Sequence, residues 1–119
     1  MKLSEVREIL NAEVLSGEGA LDTLEVEKGY ASDLMSDVLA FASPSVLLLT
    51  GLTNVQIFRT AQMMDIPAIV FVRGKRPSDE LLELACEAEM PILLTIMSMF
   101  EACGRLYVKS ISPCSIPRR

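Results

Sequence analysis

Three short, almost wholly apolar runs recur from position 45 onward: SVLLL at 45–49, AIVFV at 68–72 and PILLT at 91–95. Continuous apolar runs are typical of strands buried on both faces, as in parallel sheets, whereas a half-exposed strand alternates apolar with polar residues. The runs begin roughly two dozen residues apart, which leaves room for one helix and two turns in each gap. The spacing therefore predicts a parallel sheet built from strand–helix–strand units.

Each run is followed by residues that are typical of a helix start. Thr53 and Gln56 have the spacing of a capping box, in which the Thr hydroxyl accepts an early backbone N–H and the Gln side chain reaches back. Ser78 is predicted to cap the next helix, and Ser98 with Glu101 forms a second capping box. The residues that this last helix is expected to bury are Phe100, Cys103 and Leu106.

The first 45 residues show weaker patterns. A helix is predicted over 4–10, and the segments 12–17 and 24–29 are predicted to be two short strands around a turn at Gly17–Gly19. Apolar and acidic residues alternate in the second of these segments, which indicates a sheet edge with one wet face. Ser32 or Asp33 is then expected to cap a helix.

These elements together predict an α/β fold: a small, three-layer-like domain with a mainly parallel sheet of βαβ units, a short N-terminal helix and a strand pair at the edge. A chain of 119 residues is too short for two ordinary domains, so one domain over residues 1–108 is expected. Residues 109–119 hold two prolines and no period, and we expect this tail to be disordered.

The composition excludes several classes of function. There is no histidine, which removes His-based general base catalysis and imidazole metal ligands. The three cysteines form no CxxC pair, and an odd number of thiols suits a reducing compartment. The net charge of −5 argues against a nucleic-acid surface, and no window approaches the ~18 apolar residues of a membrane span. Glu5 and Glu8 lie where a signal peptide would be apolar, so a cytoplasmic protein is expected.

Polar loops follow each of the three predicted strands. In open α/β sheets, ligands bind at the carboxyl ends of the strands, beside helix N-termini. We expect the three loops to share one rim of the sheet and to offer a site for a small anion or a nucleotide. The candidate ligand-binding residues are Thr50, Gly51, Thr53, Asn54, Arg73, Gly74, Lys75, Arg76, Thr95 and Ser98.

A purely structural interpretation of these loops stays open. Hydroxyls and Asn are required at helix starts whatever the function, and cations are common in solvated loops. The phosphate-loop pattern GxxxxGK[ST] does not occur, so no catalytic residue, metal or cofactor is predicted. Asp33 and Asp37 lie one helical turn apart, and we interpret them as part of a solvated helix face.

Two segments resemble a known family. The string LNAEVLSGEGALDTLEVEKGYASDLMSDVLAFA at 10–42, with its GYASD step into a helix, and the strand–loop–helix succession at 47–95 resemble the DRTGG domain. That domain is similar to the N-terminal domain of bacterial HPr kinase/phosphorylase. The likeness covers about residues 2–107, although the string Asp-Arg-Thr-Gly-Gly itself is absent, and TGLTN and RGKRP stand at the corresponding loops.

The resemblance implies an α/β domain, often oligomeric, that is attached to regulatory or catalytic partners. In HPr kinase the phosphoryl chemistry belongs to a separate domain with a phosphate loop, so the likeness implies no kinase activity here. In regulatory enzymes that carry it, the DRTGG domain sits beside nucleotide-sensing modules. That arrangement implies a role in sensing or coupling.

Three hypotheses follow, from different classes. The first is a non-enzymatic regulatory domain that senses a small anion or nucleotide at the rim, or acts through a partner protein, by population shift. The second is a phosphotransferase or hydrolase acting at the same rim. The third is a structural oligomerisation module, since half of the residues are hydrophobic. A homodimer is expected.

Overall fold

The computed structural model describes residues 1–115 of the chain. They form a six-stranded sheet in the order β1-β5-β4-β3-β2-β6. Within this order, β5, β4, β3, β2 and β6 each pair in parallel with their neighbours. The remaining strand, β1, pairs antiparallel with β5. The strands are β1 (Glu13–Ser16), β2 (Lys28–Ala31), β3 (Leu47–Thr50), β4 (Ala68–Phe71), β5 (Ile92–Leu94) and β6 (Ser112–Pro113).

The helices cover the two faces of this sheet. They are α1 (Leu3–Leu10), α2 (Met35–Phe41), α3 (Val55–Met63), α4 (Asp79–Glu87) and α5 (Met99–Val108). Within residues 1–115, no helix is long and apolar enough to cross a membrane.

The central strands carry one hydrophobic core on each face. Every residue of β3 and β4 is buried, and all of them except Thr50 are apolar, as strands covered on both faces require. Leu48 packs in the core beneath α3 and α4, whereas its neighbours Leu47 and Leu49 pack in the core beneath α1 and α5. The three-layer α/β fold with a mainly parallel sheet is thus confirmed.

Two of the predicted helix starts are confirmed and two are wrong. The Ser78 hydroxyl accepts the backbone N–H of Leu81 at 3.2 Å, and the Ser98 hydroxyl accepts that of Glu101 at 3.2 Å. In contrast, Asn54 rather than Thr53 caps α3, because its side chain accepts the Ile57 N–H at 3.3 Å. Neither Ser32 nor Asp33 caps α2, whose N-cap is Leu34.

The predicted pairing of the two N-terminal strands is wrong. β1 and β2 lie on opposite sides of the sheet, separated by β5, β4 and β3. Between them, Gly17 adopts φ 73° and leads into a short 3-10 helix over Glu18–Ala20 instead of a hairpin. Apolar and acidic residues alternate in the segment before β2, and this segment packs against the N-terminus. Val26 is buried there, and its carbonyl accepts from the Met1 amino group at 3.0 Å.

The tail is ordered further than the sequence predicted. β6 lies beside β2, and the Ser112 N–H donates to the Glu27 carbonyl at 2.9 Å. Ile111 and Cys114 are buried in the two cores. The prediction of disorder is therefore wrong for 111–115, because this segment fills gaps on both faces of the sheet. For residues 116–119 that prediction lies outside the described part of the chain.

The orientation predicted for α5 is also wrong in part. Leu106 is buried as expected and Cys103 is half-buried, but Phe100 points outward. Ala102 takes the inward position instead. The buried stripe of this helix is thus rotated from the one that the sequence predicted, and an exposed apolar row results.

Candidate functional site

The three predicted loops meet at one edge of the sheet. Because β2, β3, β4 and β5 are parallel, their carboxyl ends lie together, and we call this edge, formed by residues 32–34, 50–54, 73–76 and 95–98, the rim. Backbone hydrogen bonds join its loops. The Val72 N–H donates to the Thr50 carbonyl at 3.1 Å, and the Arg73 and Gly74 N–H groups donate to the carbonyls of Met97 and Thr95 at 2.8 and 2.9 Å.

Asp33 is the rim residue that the sequence reasoning missed. One of its carboxylate oxygens accepts the Gly51 backbone N–H at 2.6 Å, and the other accepts from Nη1 of Arg73 at 3.1 Å. The carboxylate therefore joins the loops that follow β2, β3 and β4. Its position follows from the parallel pairing of β2 with β3, which brings the carboxyl end of β2 to the rim. The polar residues directly after that strand were the signal in the sequence.

Gly51 provides the space in which these two charged side chains meet. A Cβ atom at this position would overlap the guanidinium of Arg73 and would lie 3.0 Å from Oδ1 of Asp33. Any larger residue would therefore push the pair away from the Gly51 N–H. The group that approaches the Gly51 backbone in this structure is the Asp33 carboxylate, and the predicted approach of a ligand to this glycine stays a prediction.

The backbone at Arg73 is strained. Arg73 and Gly74 both have positive φ, 58° and 64°. Glycine adopts this left-handed region readily, but for a residue with a side chain it costs about 1–2 kcal/mol. The two hydrogen bonds to Met97 and Thr95 hold the turn in place. They also use the N–H groups of both residues, so neither of these two backbone groups is free to bind a ligand at the rim.

The side chains of four candidate residues form hydrogen bonds with the backbone of the domain itself. Thr50 and Thr95 are buried, and each hydroxyl accepts the backbone N–H two residues onward, at 3.1 and 3.2 Å. The Thr95 hydroxyl also donates to the Leu10 carbonyl at 2.8 Å. Asn54 and Ser98 cap α3 and α5. These residues shape the rim loops, and their hydroxyl or amide oxygens are already occupied.

The cations of the rim differ in their partners. Arg73 pairs with Asp33, and Nη1 of Arg76 lies 3.5 Å from a Glu13 carboxylate oxygen, both pairs being partly exposed. Lys75 is exposed and forms no ion pair with any residue among positions 1–115. Of the three rim cations, Lys75 is thus the one whose charge is not compensated by an ion pair within residues 1–115.

An apolar recess of about 150 Å³ lies away from the rim, between α5 and the β2–β6 edge. Tyr30, Cys103 and Tyr107 are among its lining residues. Burial raises the pKa of the Cys103 thiol, so this thiol stays protonated at neutral pH and is not an activated nucleophile. Burial, followed by the charge of Asp37, likewise raises the pKa of Tyr30. Among residues 1–115, no cluster of three or more His, Cys, Asp or Glu side chains could hold a metal ion.

Most of the chain matches the model of a known domain family. The family model of the DRTGG domain matches residues 5–107. The chain belongs to the DRTGG domain family. The match extends from α1 to the last turn of α5 and thus contains all four segments of the rim.

A solved structure shares the fold of this DRTGG domain. It is the crystal structure of the CBS and DRTGG domains of the regulatory region of Clostridium perfringens pyrophosphatase, complexed with the activator diadenosine tetraphosphate. The TM-score is 0.72 at 21% sequence identity, and the match covers 93% of this chain. It covers 47% of the other chain, so the DRTGG domain described here spans about half of that crystallised regulatory region. Comparison with curated protein sequences gave no significant match.

Replacement of Asp33 by alanine is expected to lower the free energy of unfolding by about 1 kcal/mol. The Gly51 N–H loses its acceptor, whereas the partly exposed ion pair with Arg73 contributes little by itself. Urea denaturation of the variant and the wild type measures this difference. The amide resonance of Gly51 in a ¹⁵N spectrum should also move, because its hydrogen-bond acceptor is gone.

Asp37→Ala serves as the control, since this carboxylate belongs to α2 and makes no contact with Gly51 or Arg73. Its Gly51 resonance should stay in place. An Asp33→Ala variant with an unmoved Gly51 resonance would contradict the contact between carboxylate and backbone.

Proposed function

We propose that this DRTGG domain is a regulatory, ligand-sensing domain whose rim binds a phosphate-bearing anion such as a nucleotide. The observation that carries the proposal is the convergence of the Gly51 N–H and the Arg73 guanidinium on one carboxylate, that of Asp33. A backbone N–H and a guanidinium aimed at one position match the acceptors of a phosphate group as well as those of a carboxylate. Asp33 thus occupies a position that suits an anionic ligand.

The charges of the rim support a ligand with more than one negative group. Arg73 and Lys75 would neutralise the ligand, and Lys75 is available because it makes no ion pair with the described residues. Gly51 and Gly74 allow the ligand to approach the backbone, and the Thr53 hydroxyl would add a donor. The similar structure from Clostridium perfringens was solved with a dinucleotide tetraphosphate as its activator, and we extend that chemical class of ligand to this chain.

The proposed mechanism is a shift between two populations. A ligand phosphate that displaces the Asp33 carboxylate would free the connection between β2 and α2, since Asp33 lies two residues before the start of that helix. The ligand shifts this equilibrium only to the extent that it binds one of the two arrangements more tightly than the other. We propose that the change is read by a partner protein or by a second copy of the chain, without a catalytic step. The free thiols of Cys86, Cys103 and Cys114 fit a cytoplasmic location.

Thermal unfolding in the presence of candidate ligands tests the proposal. The panel contains adenine and guanine nucleotides, diadenosine tetraphosphate, sugar phosphates and inorganic phosphate. A ligand at a hundredfold excess over its dissociation constant stabilises the folded state by about 2.7 kcal/mol. In a domain of this size the unfolding midpoint should then rise by roughly 4 °C or more.

The double variant Arg73→Ala/Lys75→Ala should abolish this rise. Arg59→Ala/Lys109→Ala is the matched control, because it removes the same charge from exposed positions on α3 and at the end of α5. A rise that survives in the rim variant, or that disappears equally in the control, would place the ligand elsewhere. No rise with any ligand in the wild type would refute the proposal.

A further inference from the structure

The apolar recess between α5 and the β2–β6 edge has the size and shape of a site for one flat ring. Its volume is about 150 Å³, and apolar cavities of about this volume accommodate a single aromatic ring. Gly29 and Ala31 bound it on the sheet side, where they lie two apart and therefore on the same side of β2. Since neither has a large side chain, the surface of the strand stays uncovered there. Tyr107 bounds it on the helix side and is 67% exposed, so its ring is accessible to a ligand.

The recess leads directly to the rim. Ala31 and Leu49, which both line it, are paired at the ends of β2 and β3, and the rim begins with the next residue of each segment. Gly51 follows Leu49 by two residues, so a Cβ on Gly51 would point to the same side of the sheet as the Leu49 side chain. That Cβ would overlap Arg73 and lie 3.0 Å from Oδ1 of Asp33. The ion pair of the rim therefore lies on the α5 side of the sheet, in line with the recess.

The chemistry of the recess suits an uncharged ring and not a phosphate. Among the described residues that line it, none is Asp, Glu, Lys or Arg. Burial raises the pKa of the Cys103 thiol, so this side chain is also uncharged at neutral pH. Tyr107 and Ser112, two exposed residues of the lining, carry hydroxyl groups that can donate to the polar edge of a base. The cations and the anion-binding backbone of the rim are thus complemented by an apolar slot beside them.

We propose that the recess binds the base of a nucleotide whose phosphate groups bind at the rim, and this base subsite rests on the function proposed for the rim. In this arrangement the base lies against β2 at Gly29 and Ala31, and the ring of Tyr107 stacks on it. Two residues of extended strand separate Leu49 from Gly51, a span of about 7 Å that a pentose bridges. The base subsite would make the rim prefer nucleotides to other phosphate-bearing anions.

Titration with adenosine, which has no phosphate, tests the base subsite without the rim. In ¹⁵N spectra of the wild type, the amide signals of Gly29 and Ala31 should move as adenosine is added. Tyr107→Ala should weaken this binding about tenfold, because stacking of a base on an aromatic side chain contributes roughly that factor or more. Tyr107→Phe keeps the ring and should bind nearly as the wild type does. Phe100→Ala is the matched control, since Phe100 is 91% exposed on the same helix and does not line the recess.

Adenosine that leaves Gly29 and Ala31 unmoved would overturn the base subsite. Indole serves as a second probe, because it is a flat ring without the polar edge of a base. If indole moved these two signals and adenosine did not, the recess would be an apolar site of another kind, and the proposal would be wrong. Binding of adenosine that is equally strong in Tyr107→Ala would likewise contradict the stacking arrangement.

The connection between the recess and the rim is tested with adenosine monophosphate and ribose 5-phosphate, which differ by the base. The wild type should bind the nucleotide about tenfold more tightly or better. In Tyr107→Ala the two affinities should approach each other, whereas Arg73→Ala/Lys75→Ala should weaken both ligands and leave adenosine binding unchanged. Equal affinities in the wild type would overturn the proposal.

The failure of the base subsite is distinguishable from the failure of the anion site. If adenosine moved the signals of Gly29 and Ala31 while ribose 5-phosphate left those of Gly51 and Arg73 in place, the anion site would be refuted and the base subsite retained. The opposite result would retain the anion site and refute the base subsite.

Discussion

Replacement of Gly17 by alanine is expected to lower the free energy of unfolding by about 3 kcal/mol. Gly17 has φ 73°, which a residue with a side chain adopts only under strain. A Cβ atom there would lie 2.5–2.9 Å from backbone atoms of Met90 and Pro91. That backbone cannot yield easily, because the Met90 carbonyl accepts from the Ser16 hydroxyl at 2.8 Å and the Pro91 carbonyl accepts from the Ile69 N–H at 3.2 Å.

Gly19→Ala is the matched control for this experiment. A Cβ at Gly19 meets nothing within 4 Å, and its φ is not positive, so the substitution should change stability by no more than ~0.5 kcal/mol. Urea denaturation followed by circular dichroism gives both values. Equal midpoints for the two variants would contradict the contact between β1 and the segment before β5.

The central part of the fold was predictable because it depends on local sequence. A buried parallel strand needs apolar residues on both faces. The runs at 68–72 and 91–95 contain β4 and β5, and the run at 45–49 contains all of β3 except its last residue, Thr50. The outer strands were harder to place, since their partners are distant in sequence. Glu13 of β1 lies opposite Leu94, and nothing near Glu13 indicates that neighbour. The local sequence therefore favoured a hairpin around a turn at Gly17–Gly19. In the structure, β1 pairs with the distant strand β5 instead.

The rim was predictable in outline for the same reason. Polar loops after parallel strands must lie at one edge, and the structure brings the three loops together there. Asp33 was missed because its place depends on the pairing of β2, which the sequence assigned to a hairpin. The hydroxyls of Thr50 and Thr95 also have local partners that only the folded backbone reveals. Whether the rim binds an anion stays a prediction.

The orientation of α5 shows a different limit of sequence reasoning. Apolar residues occur almost all around this helix, so its periodicity did not decide which side faces the core. The start at Ser98 and the contact with α1 set the rotation, and Ala102 rather than Phe100 points inward.

Ile111→Ala is expected to lower the free energy of unfolding by about 3 kcal/mol, although it lies in the tail that the sequence predicted to be disordered. Ile111 is 6% exposed and packs in the core beneath α1 and α5. Its N–H donates to the Leu106 carbonyl at 3.1 Å, and β6 begins directly after it. Loss of its side chain leaves a cavity and weakens the attachment of β6 to β2.

Ile96→Ala makes the same chemical change at a rim position that is 83% exposed. It should change stability by no more than ~0.5 kcal/mol, because little apolar surface leaves a buried environment. The difference between the two isoleucines in urea denaturation therefore measures burial alone, with side-chain chemistry held constant. If both variants unfolded at the wild-type midpoint, Ile111 would not belong to the core, and residues 111–115 would behave as part of the disordered tail that the sequence predicted.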